Sequence, residues 1–137
     1  MTVDRPRMPT ILVVDDHSMI RDALASALRT EGWFSVMAPD AHAAIAALQG
    51  AQPIDLVLSD IKMRGETDGI GLARWVRLNR PEVPVILTTG GVYRSDQVVF
   101  DEEIIPKPYR IDFVFARMKA RLAAVGWNAK TLVRRRR

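Results

Sequence analysis

Asp15 and Asp16 directly follow an apolar run at residues 11–14, and Asp60 follows another at 55–59. Thr88 and Thr89 close a third run that begins at residue 83, and Lys107 stands just past Ile104-Ile105, before Pro108. If these runs lie side by side and point the same way, their polar followers meet at one edge. Three carboxylates gathered there repel, each pair at ~4 Å by about 4 kcal/mol at an effective dielectric of ~20. Either their pKa values rise or a cation sits among them. With oxygen donors and no cysteine in the chain, a hard ion such as Mg²⁺, or Mn²⁺, suits the site. The Lys107 ammonium and the Thr89 hydroxyl complete surroundings suited to a transferring phosphoryl group, with Asp60 as the attacking carboxylate.

The rest of the chain must supply that alignment. Residues 11–14 are apolar and β-branched without alternation, the pattern of a strand covered on both faces. A helix is predicted over 18–30, with Ile20, Leu24, Ala27 and Leu28 on one face and Gly32 suited to a left-handed end. Further strands are expected at 33–38, 55–59, 83–88 and 104–105. Helices are expected at 41–48, capped by Asp40, at 70–80, stopped by Pro81, and at 111–125. In the last of these, Ile111, Val114, Phe115, Met118, Leu122 and Val125 are placed near one face. Strands alternating with helices at this spacing imply an α/β fold, a doubly wound and mainly parallel sheet with right-handed crossovers. Ligands in such sheets bind at the carboxyl ends of the strands, where the polar residues above fall.

Length and composition agree with one domain large enough to fold without disulfides or structural metal. Residues 1–9 read as an N-terminal extension, 10–125 as the domain and 126–137 as a basic, loosely ordered tail. The formal charge of +4 belongs to that tail, which holds five of the twenty Lys and Arg residues and no acid. A nearly neutral body does not imply a nucleic-acid surface, and the run at 134–137 reads mainly as a solvated tail. No apolar stretch is long enough to span a membrane, and MTVDRPRMPT lacks the apolar centre of a secretory signal. A cytoplasmic protein is expected.

The ordered strings ILVVDDHSMIRDAL, DLVLSDIKM, PVILTTGG and PKPY resemble the receiver domain of two-component response regulators across roughly residues 10–125. No one of them is decisive: an Asp pair after a strand can cap a helix, and Lys-Pro after a short strand is common. The conjunction in order carries the resemblance. It implies a flavodoxin-like fold with five parallel strands in the order 2-1-3-4-5. It implies Asp60 as phosphoacceptor, Asp16 as a direct Mg²⁺ ligand, Asp15 as a ligand mainly through water, and the Lys62 backbone carbonyl as another. Thr89 would contact the phosphoryl group, Lys107 would pair with it, and Lys107-Pro108 would be a cis peptide. The implied partners are a sensor histidine kinase or phosphotransfer protein and a downstream protein target, reached by contact or phosphorelay. A weak dimer stays open.

Several positions depart from that family. Ile104 stands where it carries an aromatic switch residue, and Arg64 where it usually has proline. Residues 95–100 are the only helical candidate between Thr89 and Lys107, so a reduced fourth helix or a loop is expected, ordered on phosphorylation with Tyr93 replacing the aromatic. Leu87-Thr88-Thr89-Gly90-Gly91 with Tyr93 is similar to the FATGUY subclass of stand-alone receivers, without its Phe-Ala. His17, next to the acidic pair, could line the pocket rim but reads mainly as a solvated loop histidine, His42 reads as a surface residue, and Trp33 and Trp75 as packing residues. Three other functions compete. A phosphatase with an aspartyl-phosphate would want a carboxylate where Lys62 stands, and a flavin or nucleotide carrier would want a phosphate loop where Asp15-Asp16-His17 stands. Nucleic-acid binding would rely on the tail. The chain is not expected to be a turnover enzyme, catalysing only its own phosphorylation and dephosphorylation.

Overall fold

The computed structural model describes residues 7–91 and 102–133. In chain order the elements are β1 (Thr10–Val14), α1 (Ser18–Thr30), β2 (Phe34–Ala38), α2 (Ala41–Gln49), β3 (Leu56–Asp60), α3 (Gly69–Asn79), β4 (Val85–Thr89), β5 (Glu103–Pro106) and α4 (Ile111–Ala124). The strands form one parallel sheet in the order β2-β1-β3-β4-β5. This is the expected architecture, displaced by one or two residues at several element ends. The candidate helix at 95–100, the reduced fourth helix it stood for, and Tyr93 lie outside the described residues.

Strand side chains alternate between faces, and here both faces are covered. Leu12, Val14, Val57 and Leu87 point into a core closed by Leu48 of α2 and Leu72 and Val76 of α3. Ile11, Val13, Leu56, Leu58, Ile86 and Ile105 point the other way, against Leu24 and Leu28 of α1 and Val114, Phe115, Met118 and Leu122 of α4. Continuous apolar runs are what such double burial requires, and they hold the strand ends level. Trp33 packs edge-on against Phe115, with ring centroids 5.2 Å apart, while Trp75 is partly buried against the opposite core.

The caps follow local chemistry. Asp40 accepts a 2.8 Å hydrogen bond from the Ala43 N–H at the start of α2, and Asp68 one of 2.9 Å from Gly71 at the start of α3. After α1, Gly32 takes φ +80°, a left-handed conformation that a side chain disfavours. In α4 the buried stripe runs from Val114 to Leu122. Ile111 and Val125, expected on the inner face, are exposed because they fall in the terminal turns, where coverage by the sheet ends.

The expectation of a loosely ordered tail after Gly126 is corrected for the residues nearest the body. Leu132 is 1% exposed within the α1–α4 core, and Trp127 packs beside it. The Arg7 guanidinium lies 5.0 Å from the Trp127 ring centroid and also grips Asp55 through two hydrogen bonds of 2.9 and 2.7 Å. Asp55 in turn accepts from the Thr10 N–H. Apolar side chains at 127 and 132 gain by covering the core, so the folded unit extends past residue 126 to at least 133 and begins before residue 10.

Candidate functional site

The side chains of Asp15, Asp16, Asp60 and Lys107 converge at the carboxyl edge of the sheet. β1 ends by delivering Asp15, whose backbone N–H is bonded to the Ala38 carbonyl of β2 at 3.1 Å. β3 ends at Asp60, opposite Thr88 in the register with β4. The Lys107 N–H bonds the Thr89 carbonyl at 2.7 Å, fixing the residue after β5 beside β4. The Lys107-Pro108 peptide is cis.

Lys107 Nζ donates to Asp15 Oδ2 at 3.0 Å and to Asp60 Oδ2 at 3.2 Å. It therefore bridges carboxylates brought by the first and third strands. Asp15 and Asp60 are 3% and 6% exposed. Asp15 Oδ1 accepts from the backbone N–H of His17 at 2.9 Å and lies 3.0 Å from the His17 ring nitrogen Nδ1. The same Nδ1 stands 3.0 Å from Asp16 Oδ1 but without a hydrogen bond; Asp16 Oδ1 and Asp60 Oδ1 are both buried and receive none. One ligand atom from each of Asp15, Asp16, His17 and Asp60 lies within 4.8 Å of the others. Buried carboxylate oxygens without donors are uncommon and costly, and two of them facing one cluster fit a bound cation. The donor set fits Mg²⁺ through oxygen.

The electrostatics divide the two central carboxyls. Burial pushes the Asp60 carboxyl up, and the Asp15 and Asp16 charges add to this, with Lys107 opposing. Burial also acts upward on Asp15, but the His17 N–H, the Lys107 ammonium and the His17 ring outweigh it and hold that carboxyl low. Lys107 is shifted upward: its burial favours the neutral amine, and the two carboxylates more than offset that. Of these two carboxylates, Asp60 is thus the less relieved by its surroundings.

Thr89 lies one residue past the position opposite Asp60, and its hydroxyl donates to the Gly91 carbonyl at 3.0 Å. Lys62 is exposed two residues after Asp60. Ile104 is partly buried against the α2–α3 core.

Two contributors escaped the sequence reading, and a third, His17, was placed at the site only as the less favoured alternative. His17 is exposed, as expected of a loop residue, yet it belongs to the acidic cluster. Arg21 donates to the Asp15 carbonyl at 2.6 Å from α1, a contact signalled only by its place in the first turn of the helix that follows the Asp pair. Gly69 begins α3 directly against Asp60. A Cβ there would meet the Asp60 carbonyl oxygen at 2.2 Å and Ile61 Cα at 2.8 Å. Its N–H bonds the Ile61 carbonyl at 2.8 Å, so the loop after Asp60 closes on the strand end.

A family model described as Response regulator receiver domain matches residues 11–111. The chain is 32% identical over 121 residues to the probable transcriptional regulatory protein TcrX of Mycobacterium tuberculosis, covering 85% of this chain and 51% of that protein. It spans between 22% and 53% of the length of curated relatives it matches. Among solved structures, it is similar to a CheY-like response regulator receiver domain protein from Methanospirillum hungatei JF-1. The TM-score is 0.79 at 26% identity, over 87% of this chain and 97% of that one. It is also similar to the response regulator protein TrrA of Thermotoga maritima, solved in complex with Mg(2+)-BeF. That match has a TM-score of 0.74 at 32% identity, over 83% and 99% of the two chains.

Proposed function

Because the chain belongs to the response regulator receiver family, we propose that Asp60 accepts a phosphoryl group from a phosphohistidine of a sensor histidine kinase or phosphotransfer protein. The observation that carries this reading is the state of the Asp60 carboxylate: buried, held by Lys107 through Oδ2, and unpartnered at Oδ1. A carboxylate so placed is fixed in orientation by the lysine and keeps one oxygen that no protein donor satisfies.

In this reading an Asp60 oxygen forms the new O–P bond as the donor's N–P bond breaks. The imidazole leaves with the bonding pair and takes up a proton. Lys107, already 3.2 Å from Asp60, neutralises the oxygens of the arriving group. The Thr89 hydroxyl exchanges its Gly91 partner for a phosphoryl oxygen. Asp15, Asp16, Asp60 and the Lys62 carbonyl would hold Mg²⁺, which when bound supplies charge neutralisation at the transferring oxygens. Arg21 and Gly69 keep the two strand ends in position. The protein promotes only its own phosphorylation and dephosphorylation, in the cytoplasm, and signals by protein contact or by passing phosphate onward.

Incubation with a small phosphodonor and Mg²⁺, followed by intact-mass measurement, tests this. One phosphoryl adduct is expected, absent in Asp60→Asn and absent in EDTA. An adduct that persists in Asp60→Asn refutes the assignment.

A further inference from the structure

His17 is the member of the acidic cluster that phosphotransfer does not use. Its side chain is 65% exposed, yet Nδ1 is held 3.0 Å from Asp15 Oδ1 and 3.0 Å from Asp16 Oδ1. Only the contact with Asp15 has hydrogen-bond geometry. A hydrogen bond accounts for one of the two equal distances, and the other is a charge contact without a hydrogen bond.

The spacing matches a coordination sphere. Two donors bound at right angles to one ion by bonds of ~2.1 Å lie about 3.0 Å apart. Nδ1 therefore has the separation of an adjacent ligand from each of the two carboxylate oxygens. The independent sign of a ligand is Asp60 Oδ1, buried and unpartnered on a residue 6% exposed. The four ligand atoms lie within 4.8 Å of one another, a little beyond the ~4.2 Å between opposite ligands at that bond length.

We infer that His17 is a protein ligand in this cluster, and that the mixed imidazole and carboxylate set prefers a nitrogen-accepting first-row ion of the Co²⁺, Ni²⁺ or Zn²⁺ class over Mg²⁺. The inference rests on reading the same carboxylates as the receiver's metal site. Mg²⁺ is reluctant to lose water and is served by oxygen, so an imidazole adds little to its binding, whereas the later first-row ions bind imidazole strongly. Nδ1 coordinates in its unprotonated form, which leaves the ring's other nitrogen to carry hydrogen. An ion held in this way competes with Mg²⁺ for the carboxylates that phosphotransfer requires.

Calorimetric titrations of the full chain with Ni²⁺ and with Mg²⁺, together with visible absorption of the Co²⁺-loaded protein, test the inference. His17→Ala is expected to weaken Ni²⁺ by at least the ~10-fold that loss of even an outer-shell partner costs. Its Mg²⁺ affinity should stay near wild type, and its Co²⁺ spectrum should lose the imidazole contribution. His17→Gln should behave like His17→Ala, and thermal melts verify that both variants fold. An unchanged ratio of Ni²⁺ to Mg²⁺ affinity overturns the ligand assignment and leaves the receiver reading intact. So does a Ni²⁺ loss that follows His42→Ala instead. If neither ion binds wild type better than Asp60→Asn, the cluster is no metal site and both readings fall together.

Discussion

Replacing Asp60 by asparagine is expected to stabilise the metal-free protein at neutral pH, although it abolishes the proposed function. The Asp60 charge faces Asp15 and Asp16, with ligand atoms no more than 4.8 Å apart, and Lys107 at 3.2 Å. At an effective dielectric of ~20 each repulsion is worth about 3.5 kcal/mol and the attraction about 5 kcal/mol. The two repulsions together exceed the attraction by about 2 kcal/mol, and burial acts on the same side. The sign agrees with the upward shift of the carboxyl from its ordinary value of 3.8, caused first by burial. A folded state that holds this proton more tightly than the unfolded chain loses stability as pH rises from 3.8 through the raised value. At roughly 4 °C per kcal/mol for a domain of this size, Asp60→Asn should melt about 8 °C higher than wild type in EDTA at pH 7. The gap should close as the pH is lowered toward 4. Mg²⁺ should then reverse the order of benefit, since an ion at 100 times its Kd adds about 2.7 kcal/mol to the protein that binds it. Scanning calorimetry with and without Mg²⁺ measures all of this. A variant that melts at or below wild type in EDTA, or equal Mg²⁺ shifts in the two proteins, refutes the electrostatic reasoning.

Lys107→Met leaves two buried carboxylates without their shared ammonium and should cost about 3 kcal/mol in urea unfolding; adding Asp60→Asn should restore part of it in a double-mutant cycle. Gly69→Ala forces a Cβ against the Asp60 backbone and should cost up to about 3 kcal/mol, where an ordinary helical position would gain from alanine; phosphorylation followed by intact mass should slow with it. Asp15, held low in the folded state, contributes stability above its ordinary 3.8 that disappears as pH falls through the lowered value; acid unfolding of Asp15→Asn should lack that component. Leu132→Ala opens the α1–α4 core and should cost roughly 2–5 kcal/mol by chemical denaturation, a loss that a loosely ordered tail would not show.

The alternation of apolar runs, caps and breakers along this chain determined the parallel sheet, its helices and the edge at which chemistry occurs. Strand burial on both faces leaves a direct trace in composition, and a polar residue that ends such a run has one place to go. Asp15, Asp60 and Lys107 were legible for that reason. Contacts between distant segments leave no comparable trace. That Arg7 would clasp Asp55 and Trp127, that Leu132 would be buried, and that Gly69 would press on Asp60 depended on which surfaces packing brought together. His17 shows the same limit at short range. Its neighbours in sequence were plain, but whether its ring faced water or the carboxylates was decided by how α1 leaves the end of β1.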